Sequence, residues 1–339
     1  MKAIDFFCGA GGLTRGLLDA GFDVVAGFDI DDQCKESYEV NNESPFHALD
    51  VRDIDLKKLK SLTRIRKFEN VLFAGCAPCQ PFSQQRKSGS AHSSATLLSE
   101  FGRIIEEVLP RAVVIENVPG MARVKGYSTF RRFLSLLEDC GYGYEFGVLD
   151  AKKFGVPQTR RRLVLIAGFT DDICIPTITH GSKRLRFRTV RDAISHFPKL
   201  KAGQEHKSVP NHYCASITEK NLERLRFTPA DGGGRTDWPK RLQLACHKDG
   251  YEGHTDVYGR MYWDAPSPTL TARCHSISNG RYGHPEQHRA ISLREAAAIQ
   301  SFPDKYVFSG SNKHIAQQIG NAVPVRFAKA LGKHIKKVA

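Results

Sequence analysis

Ile4-Asp5-Phe6-Phe7 runs into Cys8-Gly9-Ala10-Gly11-Gly12, then into a helical pattern carried by Leu13, Leu17 and Leu18, and then into Phe22-Asp23-Val24-Val25-Ala26-Gly27-Phe28, which ends on Asp29-Ile30-Asp31-Asp32. An apolar strand, a glycine turn, a helix, a second strand and an acidic residue follow one another in the order of a nucleotide-binding βαβ unit. The glycines let backbone N–H groups approach a ligand at a helix N-terminus, and Asp29 can accept hydrogen bonds from ribose hydroxyls. Thr14 stands where the third glycine of the dinucleotide fingerprint belongs. That weakens a pyrophosphate-bearing dinucleotide and leaves room for an adenosine ligand. Taken alone, the glycine turn is also compatible with nothing more than a tight connection.

The alternation of strand and helix continues. Leu49-Asp50-Val51 precedes a charged segment, and Val71-Leu72-Phe73-Ala74 empties into Gly75-Cys76-Ala77-Pro78-Cys79-Gln80-Pro81-Phe82-Ser83. A helix is expected over 98–109, a strand at Val113-Val114-Ile115 ending on Glu116-Asn117-Val118-Pro119-Gly120, a helix over 128–140, and strands over 144–149 and Leu163–Ala167. Together these predict an α/β fold with a doubly wound, Rossmann-like sheet. In such sheets ligands bind outside the carboxyl ends of the strands. The glycine turn, Cys79 and Glu116 all fall at such ends, and Pro78 and Pro81 restrict the loop around the thiol. Cys79 therefore reads as a nucleophile, and the polar residues 84–96 after it as a lid. Cys76-x-x-Cys79 is also the pattern of half a zinc site or a redox pair, but no second Cys-x-x-Cys occurs in the chain.

From about residue 170 the pattern changes. Residues 176–284 are irregular, rich in Gly, Pro, His and basic side chains, with Gly232-Gly233-Gly234 as a flexible point. A helix returns at 292–301, where Ser292 and Glu295 make a capping box, and a last one is expected from Val325 to Lys337. The organisation read from this is a catalytic and cofactor-binding domain at 1–175, a smaller, irregular and basic domain at 176–284, and a C-terminal segment at 285–339 in which helices return. The chain has 339 residues, and 41% hydrophobic content supports a sizeable core. Its net charge is +14, with the basic excess wholly in the last half, which points to a polyanion as partner. Nine cysteines without framework spacing read as reduced thiols. With no signal-peptide pattern and no apolar run of membrane length, a soluble cytoplasmic protein with no membrane partner is expected.

With these residues in place, the sequence resembles the DNA cytosine-5 methyltransferases. Asp5-Phe6-Phe7-Cys8-Gly9-Ala10-Gly11-Gly12 is similar to the family's cofactor motif, Pro78-Cys79-Gln80 to its nucleophile motif and Glu116-Asn117-Val118 to its acid motif. Gln158-Thr159-Arg160-Arg161-Arg162 resembles the Gln-x-Arg-x-Arg motif. The segments from Arg294-Glu295 through Gln300-Ser301-Phe302-Pro303-Asp304, and Gln318-Ile319-Gly320-Asn321-Ala322-Val323, resemble the last two. These blocks stand in family order over nearly the whole chain. The resemblance implies methyl transfer from S-adenosylmethionine to C5 of cytosine, with Cys79, Glu116, Arg160 and Arg162 as catalytic residues and no metal. For the cofactor it implies Phe7, Gly9, Gly11, Asp29, Ile30, Asp50, Val51, Pro78, Leu97, Asn321 and Val323.

The chemistry needs these residue types. C5 of cytosine is a poor nucleophile, and a thiolate adding at C6 supplies the missing electron density. Glu116 would relieve charge at ring N3, and Arg162 is placed by the resemblance at the base O2, with Arg160 beside it steadying the site. C6 cannot be reached inside a duplex, so the base must be flipped out, with 176–284 reading the surrounding double-stranded DNA. A monomer on DNA, accompanied by a restriction endonuclease of the same specificity, completes the expectation. An RNA cytosine-5 methyltransferase acting on tRNA and a non-catalytic binding protein of the same fold are the alternatives. Against the latter stands the intact set of Pro78-Cys79-Gln80, Glu116 and Arg160/Arg162. One departure is that Cys76-Ala77 occupies the places where the family usually has Gly-Pro, which should alter loop stiffness more than chemistry.

Overall fold

The computed structural model of the chain describes residues 1–77, 93–122, 127–245 and 255–339, by backbone alone at 93–95 and 127–128. Pro78, Cys79 and residues 84–92 of the expected lid lie outside the described residues. The chain separates into two compact units, one made of Met1–Phe154, Arg161–Thr179 and Val323–Ala339, the other of Gly155–Arg160 and His180–Ala322. No described helix is long and apolar enough to cross a membrane.

The first unit holds a seven-stranded sheet of β1 (Lys2–Phe6), β2 (Asp23–Asp29), β3 (Phe46–Ala48), β4 (Val71–Gly75), β5 (Ala112–Asn117), β6 (Gly143–Asp150) and β7 (Arg161–Gly168). Their spatial order is β3-β2-β1-β4-β5-β7-β6. β1 lies parallel between β2 and β4, and β5 is parallel to β4. The chain thus builds outward one way from β1 to β3, then returns to β4 on the other side of β1. That reversal is the topological switch point, and the crevice opens where β1 and β4 end.

β7 runs antiparallel between β5 and β6. The expected strands at 144–149 and 163–167 are present, but their pairing was not written in their composition. The short link from Asp150 to Arg161 decides it, because a parallel return would need a crossover of a dozen or more residues.

Side chains alternate across β1 with the period of a strand. Ile4 and Phe6 enter a core with Phe73, Val113, Ile115 and Leu165 from the sheet. Onto it pack α3 (Leu56–Thr63) through Leu59, α4 (Ser93–Val108) through Phe101, Ile104 and Ile105, and α5 (Tyr127–Asp139) through Phe130, Phe133 and Leu137. Phe6 sits 5.0–5.5 Å, centroid to centroid, from Phe28, Phe73 and Phe101. Aromatic pairs at that spacing add to the area they bury.

On the opposite face of β1, Ala3 and Asp5 are fully buried near α1 (Gly12–Asp19). The last helix, α10 (Val325–Val338), packs on α1 so closely that a Cβ built on Gly16 would lie 2.3 Å from the Ala328 Cβ and 2.6 Å from the Val325 carbonyl oxygen. The C-terminal segment thus returns as a helix against α1, while the strands beside β1 are β2 and β4.

Thr14 has a definite task on this face. Its hydroxyl donates to Asp5 Oδ2 at 2.6 Å and lies 3.0 Å from the Tyr38 hydroxyl, all three groups being buried. Tyr38 belongs to α2 (Lys35–Asn42) and reaches Ser44 Oγ at 3.4 Å. A third glycine would leave Asp5 without this donor. Burial pushes the Asp5 carboxyl up to about 7, against the pull of the Thr14 hydrogen bond. An unfolded Asp titrates near 4, so the folded state holds the proton more tightly. The stability linked to this group is therefore present below about pH 4 and lost as pH rises toward 7. Thr14→Val is expected to raise the Asp5 titration further and to lower the melting temperature more at pH 8 than at pH 5. Equal losses at the two pH values in differential scanning calorimetry would remove Thr14 from this role.

The second unit has almost no sheet. Among the described residues it contains isolated bridges only, such as Gln158 with Ser267 and Arg260 with Gly283. Its helices are α6 (Val190–Ile194), α7 (Glu219–Phe227), α8 (Leu293–Ile299) and α9 (Asn312–Asn321). Irregular backbone leaves many carbonyls without ladder partners, and a buried carbonyl must still be satisfied. Buried arginines do it here. Arg260 donates to the carbonyls of Leu225, Thr228, His284 and Gln287 at 2.6–3.0 Å. Arg294 donates to Pro210 and Pro303 at 2.9 and 3.2 Å and also bonds the Tyr306 carbonyl. Arg289 forks onto Glu295 with two bonds of 2.7 Å. The capping box is present, with the Ser292 hydroxyl accepting from the Glu295 N–H and Glu295 from the Ser292 N–H. α8 is joined to residues 210–213 by Leu293 and Arg294 N–H groups on the Tyr213 and Asn211 carbonyls. Part of the basic excess in the second half is therefore internal framework rather than surface field.

Candidate active site

At the end of β1 the chain turns sharply. Phe7 adopts φ 59°, Gly9 φ 49° and Gly11 φ 82°, all left-handed. For glycine this is free, whereas Phe7 carries strain of the kind that marks ligand-clamping turns. The turn is closed by Gly11 N–H on the Cys8 carbonyl at 2.9 Å and Cys8 N–H on the Phe28 carbonyl at 3.1 Å. From the end of β2, Asp29 Oδ2 accepts the Gly9 N–H at 2.8 Å and Oδ1 the Asp31 N–H at 2.9 Å. Burial pushes the Asp29 carboxyl above its ordinary value, and the N–H groups of Asp31 and Gly9 pull it part of the way back. Asp29 thus shapes the turn as well as facing it.

Next to this carboxylate, Ile30 leaves 70% of its surface open. A Cβ on Gly9 would meet no described atom within 4 Å, so the turn borders a space. An apolar side chain, a fixed carboxylate and open backbone at a helix N-terminus suit an adenosine-bearing ligand, so the residues fit S-adenosylmethionine. Asp50 caps the turn after β3 and accepts from the N–H and Nε of Arg52, each at 2.9 Å. Arg52 holds its carboxyl below the usual range. Val51 is buried, Leu97 packs half-buried on α4, and Val323 is buried at the start of the C-terminal segment. Asn321, which closes α9 in the second unit, is exposed.

Two strands further along the edge, β5 delivers Glu116, which is 8% exposed. Arg162, near the start of β7, lies with Nε 3.1 Å from Glu116 Oε1. The antiparallel register explains the meeting, since Glu116 pairs with Val164 and Arg162 stands two residues on, on the same face. Glu116 Oε1 is nevertheless without a well-aligned hydrogen bond, so the ion pair leaves a buried acceptor free for another donor. β4 ends at the same edge and carries the chain toward Pro78 and Cys79.

Arg160 has a different place from its neighbour. Its guanidinium is buried in the second unit and donates to the carbonyls of Leu270, Gly320 and Ala322 at 3.0–3.1 Å. That is a positioning role. Gln158 works alongside it, accepting the Leu270 N–H at 3.0 Å and donating to Gln300 Oε1 at 2.9 Å. Gln300 in turn donates to the Ile319 carbonyl at 2.7 Å. Three of the motif blocks are thereby stitched together inside one unit, a role the reading from sequence did not give Gln158 or Gln300.

Residues 1–337 match the family model of the C-5 cytosine-specific DNA methylases. The chain belongs to that family. Among curated relatives, this methylase is 40% identical over 339 residues to the type II methylase M.HgiDII of Herpetosiphon aurantiacus, covering 98% of the chain and 94% of that protein. It is 34% identical to the type II methyltransferase M1.HphI of Haemophilus parahaemolyticus, covering 99% and 86%. Among solved structures, the methylase superposes on a putative DNA modification methyltransferase encoded within an E. coli prophage with TM-score 0.77, at 21% identity and over 100% and 99% of the two chains. It superposes on the S. pombe Dnmt2 methyltransferase with TM-score 0.65, at 18% identity and over 99% and 98%. These structural likenesses speak for the fold. The methylase is an enzyme of cytosine-5 DNA methylation with a Rossmann-like α/β sheet, as its motif blocks lead one to expect.

Proposed function

We propose that the methylase modifies a specific duplex sequence by transferring a methyl group from S-adenosylmethionine to C5 of a flipped-out cytosine, through a covalent Cys79–C6 adduct. The observation that carries this reading is the Glu116–Arg162 pair on the strand-end edge at which β4 also ends, four residues before Cys79 in the sequence. S-adenosylmethionine supplies an electrophilic methyl group. Phe7, Gly9, Gly11, Asp29, Ile30, Asp50, Val51, Leu97, Asn321 and Val323, together with Pro78, are the residues that would hold it.

Cys79 as thiolate bonds to C6, and the electron pair displaced onto C5 takes the methyl group, the bond pair of the broken S–CH3 bond staying with the sulfur of the departing thioether, S-adenosylhomocysteine. Glu116 donates a hydrogen bond or proton at N3 as charge develops there, and Arg162 donates at O2. The C5 proton then leaves to water, the C5–C6 double bond re-forms, and the Cys79 sulfur departs. Arg160 keeps the Leu270, Gly320 and Ala322 backbone in place rather than touching the base. Residues 176–284 read the duplex, and the type II character of the relatives supports a restriction endonuclease of matching specificity as functional partner. The methylase would act as a monomer on cytoplasmic DNA.

Duplex DNA with 5-fluorocytosine at the target tests the reading, because fluorine cannot leave C5 as a proton does. The complex should be trapped on Cys79, as peptide mapping would report. Trapping on RNA alone or at another cysteine overturns it. Glu116→Gln should lower kcat about 10²- to 10³-fold with unchanged S-adenosylmethionine affinity. Wild-type turnover in that variant would take Glu116 out of the mechanism.

A further inference from the structure

We infer that the first unit carries a sequence-independent duplex surface on the end of the sheet opposite Glu116, with which the methylase holds a further segment of DNA. Lys57-Lys58-Leu59-Lys60-Ser61-Leu62-Thr63-Arg64-Ile65-Arg66-Lys67 contains six basic residues and no acid. α3 forms the first part of this run and turns Leu59 inward, and beyond the helix Ile65 and Phe68 are buried in the same core. Lys57, Lys60, Arg64, Arg66 and Lys67 are left exposed. Among the described residues none of these five makes an ion pair. Nearby acids are engaged elsewhere or border the run. Asp55 caps α3 by accepting the Lys58 N–H at 2.6 Å, Glu107 lies 3.7 Å from Arg103, and Glu69 stands exposed just past Phe68.

Local structure does not call for these charges. The negative end of a helix favours cations, which suits Lys60 and Arg64, but Lys57 and Lys58 stand in the first turn of α3, where the dipole opposes them. Lys57 with Lys60, and Lys60 with Arg64, are like charges three and four residues apart, a spacing that destabilises a helix. Arg66 and Lys67 lie beyond the helix altogether. The run ends where the strands begin. The Phe68 carbonyl accepts the Val71 and Arg111 N–H groups at 3.0 and 3.3 Å, and the Asn70 carbonyl accepts the Lys2 N–H at 3.3 Å. Exposed Lys2 therefore extends the patch onto the start of β1. With five residues in β4, this end lies about 17 Å from the strand ends that include Glu116. That distance assigns the patch to a DNA segment other than the one being methylated. Among the described residues no large apolar side chain of the patch is exposed, whereas the core of a protein interface is apolar and depleted of lysine. A lysine- and arginine-rich surface of this kind suits the phosphate backbone, which is bound through charge without regard to sequence.

Release of the methylase from a short labelled duplex that carries the sequence it methylates, in rising concentrations of unlabelled duplex without that sequence, tests this. A second duplex that docks before the first departs makes release faster in proportion to its concentration, and the wild type should show that dependence. In Lys57→Gln/Lys60→Gln/Arg64→Asn/Arg66→Gln/Lys67→Gln the dependence should vanish, with release staying within about twofold of the competitor-free rate. Asn is used at position 64 because the backbone there has φ 56°, a conformation Asn tolerates. Methylation of the short duplex should keep its kcat and KM, since none of the five residues stands at the catalytic edge. Wild-type release that ignores competitor overturns the inference, and so does a variant that retains the dependence. Poly-glutamate at equal charge concentration should leave wild-type release unchanged. Acceleration equal to that by duplex would make this a surface for acidic protein and overturn its assignment to DNA. If the fivefold variant no longer methylates, Arg66→Gln/Lys67→Gln is read in the same assay, and an undiminished dependence there overturns the inference.

Discussion

Replacing Cys79 by serine is expected to abolish methyl transfer, with kcat falling at least about 10⁴-fold, as when other covalent nucleophiles are removed. The reason is chemical rather than steric. A thiol is partly ionised near neutral pH and intrinsically very nucleophilic, whereas a serine hydroxyl is scarcely ionised there and is a weak nucleophile at its free pKa. S-adenosylmethionine binding should survive, since the turn from Phe7 to Gly12, Asp29 and Ile30 is built without Cys79. The measurement is bisulfite sequencing of a host that lacks cytosine methylation. Wild-type methylase should mark one recurring sequence, and the variant none. Residual marking at the same sequence above about one part in a hundred would refute the thiolate mechanism.

The largest expected effect on stability lies in the second unit, at Glu295. Both of its oxygens are taken by Arg289, one also caps α8 through the Ser292 N–H, and all three residues are buried. Glu295→Ala would strand the Arg289 guanidinium without a counter-charge, a loss of about 3–5 kcal/mol. The double variant Arg289→Met/Glu295→Leu should recover most of it, because removing both charges also removes the cost of burying them. The readout is unusually local. Both tryptophans of the chain, Trp238 and Trp263, are buried in this unit, so urea unfolding followed by their fluorescence reports it alone. A double variant as unstable as the single one would mean that the pair does more than neutralise itself.

The same cluster sets the acid response. Against burial, Arg289 holds the Glu295 carboxyl down at about 2, and burial lowers the nearby His284 to about 3. Both are depressed from their unfolded values, near 4 and 6.5, so their contributions are full above those values. They are lost as pH falls, first from about 6.5 toward 3 for His284 and then from about 4 toward 2 for Glu295.

Much of this architecture was legible in the residues. Short apolar runs that stop at glycine, proline or an acid are strands entering ligand-facing loops, which located β1, β2, β4 and β5 and with them the edge carrying Glu116. The Ser292–Glu295 box could be read because capping is local. What escaped depends on groups far apart in sequence. The antiparallel course of β7 follows from pairing and a short link, and the Thr14 hydroxyl matters because Asp5 and Tyr38 meet it. The basic excess of the last half reads as charge for a polyanion, whereas folding turns Arg260, Arg289 and Arg294 inward onto carbonyls and a carboxylate.

Those inward arginines bear on how such a protein can change. A sheet constrains every residue along its strands, because a slip of one position turns the whole strand over. A unit joined by guanidinium groups at a few chain positions imposes no register on the segments between them. Each segment can be lengthened, shortened or rewritten while the joints stay closed, at an entropic cost that grows only slowly with length. Given the duplex-reading role proposed for residues 176–284, a frame of that kind would let new DNA specificities be acquired one loop at a time, without the fold having to be found again.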